Sequence, residues 1–244
     1  MIGVTENFRK IQDLLAQVTA DAGRPPGSVH LLAVSKGQSA ERVREAVDAG
    51  QREFGENFVQ EALGKLEEVG RDDLAWHFIG HLQANKTKGV AERFQWVHTI
   101  DRPKIAERLN RQRPVYAGEL NVLVQVNIDR EPAKAGVPPE ETRELATVVA
   151  GLPRLKLRGL MCIPRVRSGF EAQRQPFREL RRLAESLGRA GLQTDTLSMG
   201  MSGDYAAAIH EGATIVRIGT ALFGPRATAG GEVETRSRGS RNGK

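Results

Sequence analysis

The feature that most constrains the fold of this 244-residue chain is an alternation of strand-like and helix-like segments, repeated eight times. The strand-like segments are short apolar runs at residues 31–35, 53–56, 75–80, 95–100, 120–128, 155–163, 196–199 and 213–218. Each is followed by a helical pattern or by the start of one. Strict alternation is typical of a parallel sheet, because a parallel connection needs a crossover helix. Eight units in roughly 200 residues therefore predict an α/β fold of the TIM type, a closed (β/α)8 barrel.

A doubly wound open sheet is the alternative architecture. It is disfavoured because no glycine-rich dinucleotide fingerprint follows the first strand. An extra amphipathic helix over residues 4–20 precedes the barrel units, and we expect it to act as a plug or a lid at one end. We predict one domain over residues 1–225. A basic tail over 226–244 is predicted to be disordered, because it is rich in Gly, Ser and Thr and almost free of large apolar residues.

Charge does not point to a nucleic-acid partner. The formal net charge is +6, but the tail carries five basic and two acidic side chains and so supplies half of it. The barrel region is therefore weakly basic, and it offers no basic groove with stacking aromatics. Weak RNA binding through the tail is kept as a minor alternative.

Composition also limits the compartment. No apolar run approaches the roughly 18 residues that span a bilayer, and the N-terminus lacks a secretory pattern, so we predict no membrane association. The single cysteine, Cys162, excludes an internal disulfide framework and fits a reducing compartment, so we expect a cytoplasmic protein.

Lys36 stands where the first buried strand gives way to the loop before a helix. In (β/α)8 barrels the active site lies at this carboxyl-terminal edge of the strands. A solvated lysine at a strand end is the ordinary alternative. Lys36 is the one lysine that the predicted strand ends place at this edge, which favours a chemical role.

Two loops rich in Gly, Ser and Thr follow the seventh and eighth strands, at residues 198–204 and 217–220. Backbone amides at helix starts, backed by hydroxyl groups, bind anions, and barrels often bind phosphate after strands seven and eight. We assign Ser198 and Thr220 to such a phosphate. Ser202 and Asp204 are interpreted instead as caps of the following helix.

A lysine beside a phosphate cradle indicates a Schiff base to pyridoxal 5′-phosphate (PLP), an aldehyde cofactor that carries a phosphate. Arg217 then has a role at the pyridine nitrogen, where a guanidinium donates a hydrogen bond and disfavours protonation. Asn57 could bind the ring substituents. An ion pair of Arg217 with a carboxylate at the barrel mouth, such as Glu56, is the structural alternative.

Other polar residues are interpreted as structural. His77 and His81 lie on and beside one strand, without further ligands at metal-binding spacing, so we predict no metal site. Cys162 sits in an apolar run and is expected to pack as a small hydrophobe.

Seven segments resemble the motifs of one family, the pyridoxal phosphate homeostasis proteins, which are single-domain PLP-binding barrels related to the barrel of bacterial alanine racemase. The segments are AVSK at 33–36, FGENFVQE at 54–61, WHFIG at 76–80, LQANK at 82–86, RGLM at 158–161, LSMGMS at 197–202 and VRIGT at 216–220. The match runs in order from about residue 28 to Phe223. After Lys36, where the family usually has Thr-Lys-Pro or similar, this chain has Gly37, Gln38 and Ser39.

The resemblance implies a barrel of PLP fold type III with Lys36 as the internal aldimine. It also implies that Ser198, Gly219 and Thr220 surround the phosphate and that Arg217 contacts the pyridine nitrogen. It implies intracellular storage and delivery of PLP by a monomer or weak dimer, with PLP-dependent apo-enzymes as candidate recipients.

A PLP-dependent enzyme resembling an amino-acid racemase is the alternative function. Racemisation needs a second base on the ring face opposite the lysine. In the related racemases that base is a tyrosine from an additional β domain of a partner subunit. The two tyrosines here, Tyr116 and Tyr205, lie at no predicted strand end. We therefore expect a PLP-binding protein without substrate turnover, which leaves room for a weak residual racemase-type activity.

Overall fold

The computed structural model describes residues 3–192 and 194–225. Its eight strands form one closed parallel barrel in sequence order, with the last strand paired to the first. This arrangement confirms the predicted (β/α)8 barrel and rules out the open doubly wound sheet, whose edges would remain unpaired.

The strands are β1 (His30–Val34), β2 (Glu53–Glu56), β3 (Ala75–Phe78), β4 (Trp96–Ile100), β5 (Leu120–Val126), β6 (Leu155–Cys162), β7 (Thr196–Met201) and β8 (Ile215–Ile218). The α-helices are α1 (Val4–Asp21), α2 (Ala40–Asp48), α3 (Val59–Val69), α4 (Thr87–Arg93), α5 (Pro103–Gln112), α6 (Thr142–Ala150), α7 (Phe170–Arg189), α8 (Tyr205–His210) and α9 (Thr220–Phe223). Short 3-10 helices lie at Ala84–Lys86, Val115–Ala117 and Pro139–Glu141.

The core lies between the barrel strands and the surrounding helices. Strands such as β5 are buried along almost their whole length, as expected for parallel strands covered on both faces. The helices are amphipathic: α5 begins with Pro103 in its first turn and buries Ile105, Ala106 and Leu109. The apolar spacing in the sequence therefore selects the face that each helix presents to the sheet.

The N-terminal helix α1 packs beside the barrel, against α2, α8 and α9. The side chain of Asn7 donates a hydrogen bond to the carbonyl oxygen of Leu222 in α9, at 3.0 Å. Because α9 is only four residues long, α1 fills the place in the outer ring that a full helix after β8 would take. The expectation that α1 plugs or covers one end of the barrel was wrong.

The predicted tail at 226–244 lies outside the described residues, and the division at residue 225 stays a prediction. Among the helices of the described ranges, none is both long and apolar enough to cross a membrane.

Candidate functional site

A pocket of about 220 Å³ opens at the carboxyl-terminal mouth of the barrel, between the ends of β1, β2 and β8. Five of the six residues that the sequence assigned to cofactor binding line it: Lys36, Asn57, Arg217, Gly219 and Thr220. Closure of the barrel explains this, because β8 pairs with β1 and brings the two ends of the chain together.

Lys36 lies two residues beyond β1 and is half-buried. Bonds on either side hold its loop: the backbone N–H of Gly37 donates to Oε1 of Glu61 at 2.6 Å, and Nζ of Lys65 donates to the carbonyl oxygen of Ser35 at 2.7 Å. The position of Lys36 is therefore fixed by side chains from α3.

Behind this loop lies a polar cluster formed by the buried residues Ser35, Glu56 and Lys65 and the partly exposed Glu61. The Ser35 hydroxyl donates to Oε1 of Glu56 at 2.6 Å, and Nζ of Lys65 contacts both carboxylates. Burial raises the pKa of the Glu56 carboxyl, and the charge of Lys65 opposes that rise. Glu56 is thus paired with Lys65, so the alternative ion pair of Glu56 with Arg217 was wrong.

Arg217 occupies the floor of the pocket and is 4% exposed. Its Nη1 donates to the carbonyl oxygen and to the hydroxyl of Ser198, both at 2.7 Å, and its Nη2 donates to the carbonyl oxygen of Cys162 at 2.9 Å. Burial lowers the pKa of the guanidinium, but an arginine in a protein stays charged. The side chain is therefore a fixed cation on the pocket floor.

Ser198 does not line the pocket, which corrects its predicted place at a phosphate. The residue is fully buried inside the barrel. Its hydroxyl lies 2.7 Å from Nη1 of Arg217 and 2.9 Å from Nδ1 of His98. The reason is depth: Ser198 is in the middle of β7, and its side chain lies inside the barrel below the level of the mouth.

Ser202 lines the pocket instead, and its interpretation as a helix cap was wrong. β7 continues to Met201 through Gly200, whose φ of +94° suits glycine, and α8 begins only at Tyr205. Asp204 precedes α8, and its Oδ1 accepts a hydrogen bond from the backbone N–H of Met201 at 2.6 Å. Five further residues line the pocket without a role predicted from the sequence, namely Val34, Gln38, Ile79, Ile163 and Met201.

Asn57 follows β2 directly and lines the pocket. Its Oδ1 is buried and has no hydrogen-bond partner among the described residues. The backbone of Asn57 lies against Gly80, where a Cβ would be 2.1 Å from the Asn57 carbonyl oxygen. The close approach fixes the backbone of Asn57 at the pocket wall.

The donor set of the pocket suits a small molecule that combines a carbonyl group with an anion. Lys36 supplies an amine, which is a nucleophile toward carbonyl carbon. Ser202, Gly219 and Thr220 supply hydroxyl and amide groups, which bind anions. Cys162 is buried, and burial raises the pKa of its thiol to about 12, so it packs as an unreactive side chain as predicted.

The structure gives His77 a structural partner. Its Nδ1 lies 2.9 Å from Nε2 of His98, and the two rings are buried. His81 lies at the rim, with Nδ1 3.8 Å from Oδ2 of Asp101. Within the described ranges, no group of three or more His, Cys, Asp and Glu side chains is arranged to hold a metal ion.

Comparison with known proteins is consistent with this geometry. Residues 6–227 match the family model described as alanine racemase, N-terminal domain. A Pseudomonas aeruginosa protein named pyridoxal phosphate homeostasis protein is 53% identical over 226 residues, or 93% of this chain and 97% of that protein. The Escherichia coli K12 protein of the same name is 50% identical over 234 residues, covering 93% of this chain and 98% of that protein.

Solved structures give the same picture. PipY of Synechococcus elongatus, with PLP bound, is 39% identical with a TM-score of 0.77, covering 88% of this chain and 100% of that chain. Alanine racemase of Corynebacterium glutamicum has a TM-score of 0.70 at 18% identity, covering 96% of this chain and 63% of that chain. The second likeness is one of fold alone.

Proposed function

The chain belongs to the family of pyridoxal phosphate homeostasis proteins, and from this premise we propose that it binds PLP at the barrel mouth and serves PLP homeostasis without substrate turnover. The observation that carries the proposal is the convergence of Lys36, Arg217 and the Gly219-Thr220 loop in one pocket. The PLP-bound structure of the relative PipY supports it.

Lys36 is the residue that would hold the cofactor covalently. When PLP is bound, its aldehyde carbon can accept the lysine amine and form a Schiff base with release of water. The loop contacts of Gly37 and Ser35 hold the backbone on either side of Lys36 at the pocket wall.

Ser202, Gly219 and Thr220 would hold the phosphate. The two hydroxyl groups and the backbone of Gly219 line one wall of the pocket. Hydroxyl and amide donors suit a phosphate, and this set differs from the expected one by Ser202 in place of Ser198.

Arg217 would face the pyridine nitrogen. A guanidinium donates to this atom and disfavours its protonation, which weakens the ring as an electron sink compared with a carboxylate partner. Asn57, with its unpartnered amide oxygen, would bind a polar substituent of the ring.

Storage and delivery fit this pocket better than turnover. A racemase-like reaction needs a second base on the ring face opposite the lysine. Tyr116 is 87% exposed and Tyr205 begins α8, and neither is among the described residues that line the pocket. We propose PLP-dependent apo-enzymes in the cytoplasm as recipients of the cofactor.

Absorbance of the purified protein tests the binding. After incubation with PLP and dialysis, the wild type should keep an absorbance band of bound cofactor, and borohydride should fix the cofactor mass on the peptide that contains Lys36. Lys36→Ala should lose both signals, whereas Lys86→Ala, at a neighbouring pocket of the same mouth, should keep them. A colourless wild type would refute the proposal.

Incubation of the loaded protein with L-amino acids separates the two functions. We expect neither D-isomer nor CO2 beyond the rate given by free PLP. Sustained turnover that depends on Lys36 would favour the racemase-like alternative.

A further inference from the structure

A chain of hydrogen bonds crosses the barrel interior from Arg217 toward the opposite mouth. Nη1 of Arg217 lies 2.7 Å from the hydroxyl of Ser198, and that hydroxyl lies 2.9 Å from Nδ1 of His98. Nε2 of His98 lies 2.9 Å from Nδ1 of His77. The four residues come from β8, β7, β4 and β3, and all are buried.

The two histidines of this hydrogen-bond chain, His77 and His98, are neutral. Burial lowers the pKa of His77 to about 3, with a smaller contribution from the charge of His30. Burial also lowers the pKa of His98 well below its usual value, and the positive charge of Arg217 acts in the same direction. A neutral imidazole has one donor and one acceptor nitrogen, so each ring accepts a hydrogen bond at one nitrogen and donates one from the other.

The arginine sets that direction. Its Nη1 can act as a donor but never as an acceptor, so the Ser198 oxygen accepts from it. Within the described residues, Nδ1 of His98 is the group within hydrogen-bond distance that can accept the Ser198 hydroxyl hydrogen. We therefore assign Nδ1 as the unprotonated nitrogen of the His98 ring. His98 consequently donates from Nε2 to Nδ1 of His77, and the His77 proton lies on Nε2.

The hydrogen-bond chain ends at another pocket, of about 340 Å³, at the amino-terminal mouth of the barrel. His77 lines this pocket, and its Nε2 has no hydrogen-bond partner among the described residues. The ring stacks on Trp96, with centroids 5.3 Å apart and an interplanar angle of 7°. The far end of the chain is therefore held in place by packing.

We propose that Ser198 and His98 are positioning residues that hold the Arg217 guanidinium in the orientation presented to the cofactor pocket. The Ser198 hydroxyl can accept from Arg217 only while its own hydrogen is directed elsewhere, and His98 is the acceptor that directs it. The effect of this positioning on the cofactor rests on the proposed function, in which Arg217 faces the pyridine nitrogen. Positioning of Arg217 gives Ser198 a role beneath the cofactor site in place of the predicted contact with phosphate.

Substitutions at His98 test the proposal without touching the pocket wall. His98→Leu removes the acceptor of the Ser198 hydroxyl, whereas His98→Asn keeps an acceptor oxygen near the position of Nδ1. In crystal structures without cofactor, we expect Nη1 of Arg217 to leave the Ser198 hydroxyl in His98→Leu and to stay within hydrogen-bond distance in His98→Asn. On PLP titration, His98→Leu and Ser198→Ala should bind about tenfold more weakly, as expected for loss of a buried charge-assisted contact.

A spectroscopic readout separates positioning from general destabilisation. The pH dependence of the bound-cofactor absorbance should shift in His98→Leu and Ser198→Ala and should resemble the wild type in His98→Asn. Thr99→Val is the matched control, because Thr99 lies on β4 next to His98. The substitution removes the buried hydrogen bond of 2.7 Å from the Thr99 hydroxyl to the carbonyl oxygen of Gly80 and leaves the contacts between Arg217, Ser198 and His98 in place. It should lower the melting temperature and leave the pH dependence unchanged.

Two results would overturn the proposal. One is an Arg217 side chain that keeps its place in the cofactor-free structures of both His98→Leu and Ser198→Ala. The other is an equal shift of the absorbance profile in His98→Leu and His98→Asn. Failure of the wild type to bind PLP would instead count against the proposed function, and the cofactor-free structures would still decide the positioning role.

Discussion

Nζ of Lys65 lies 2.6 Å from Oε1 of Glu56, and the two side chains are 5% and 0% exposed. This buried ion pair stands directly behind the loop that carries Lys36. The same carboxylate oxygen accepts the Ser35 hydroxyl, so one charge pair anchors the end of β1, the end of β2 and helix α3 together. The placement of Lys36 thus depends on a polar cluster whose members do not line the pocket.

Removal of Lys65 should destabilise the fold. Lys65→Met leaves the Glu56 carboxylate buried without its cation, which should lower the free energy of unfolding by about 3–5 kcal/mol in urea denaturation. Lys88→Met is the control, since Lys88 is 74% exposed and 3.8 Å from Glu92, and it should cost less than about 0.5 kcal/mol. The double variant Lys65→Met with Glu56→Gln should regain part of the loss. Equal effects of the two single variants would contradict the role of burial.

Acid should destabilise the protein through its buried histidines. The pKa of His77 is lowered to about 3 by burial, whereas an unfolded chain binds this proton near pH 6.5. Between these values the unfolded state holds more protons, so the free energy of unfolding falls as the pH falls below 6.5. The slope should approach about 1.4 kcal/mol per pH unit for one such histidine.

Urea denaturation between pH 6.5 and 5.5 measures this slope, above the range where most carboxylates titrate. His77→Gln should reduce it. His81→Gln changes a ring whose side chain is 56% exposed and should leave the slope as in the wild type. A His77→Gln slope equal to that of the wild type would argue against the prediction.

Gly80 should tolerate no side chain. In Gly80→Ala the new Cβ would meet the Asn57 carbonyl oxygen at 2.1 Å, so the backbone at the ends of β2 and β3 must move apart. We expect a loss of several kcal/mol of stability, on the order of other overpacking substitutions, together with weaker PLP binding. Gly64→Ala is the control within α3, where nothing lies within 4 Å of the new Cβ, and it should stabilise the protein by about 0.5–1 kcal/mol.

Ser202 should discriminate between PLP and its phosphate-free form. Ser202→Ala removes a hydroxyl that we propose contacts the phosphate, and it should weaken PLP binding about ten- to a hundredfold, as loss of one hydrogen bond to a charged group predicts. The affinity for pyridoxal, which lacks the phosphate, should change little. Ser198→Ala should weaken both ligands alike, because it acts through Arg217. A loss of pyridoxal affinity equal to that of PLP in Ser202→Ala would place Ser202 elsewhere.

Much of the site could be read from the sequence because it follows from topology. Residues that directly follow buried parallel strands must meet at one mouth once the barrel closes. Lys36 after β1, Asn57 after β2 and Thr220 after β8 are of this kind, and all three line the pocket. Their roles toward PLP stay predictions.

The places of Ser198 and Ser202 could not be predicted from topology alone. The two residues are four positions apart on one loop motif, and their depth depends on how far β7 extends. β7 runs two residues beyond its predicted end, which leaves Ser198 inside the barrel and brings Ser202 to the pocket. A shift of two residues along a strand moves a side chain by about 7 Å, which is enough to place Ser198 below the pocket and Ser202 in its wall.

The sequence by itself determined the barrel, the order of its strands and the lysine at its mouth, since hydrophobic periodicity and chain order carry that information. Tertiary structure alone decided the partners of the buried polar groups. The pairing of Glu56 with Lys65 and the chain from Arg217 through Ser198 and His98 to His77 join residues up to 100 positions apart. Such contacts depend on strand register and side-chain depth inside a closed barrel, which local patterns do not encode.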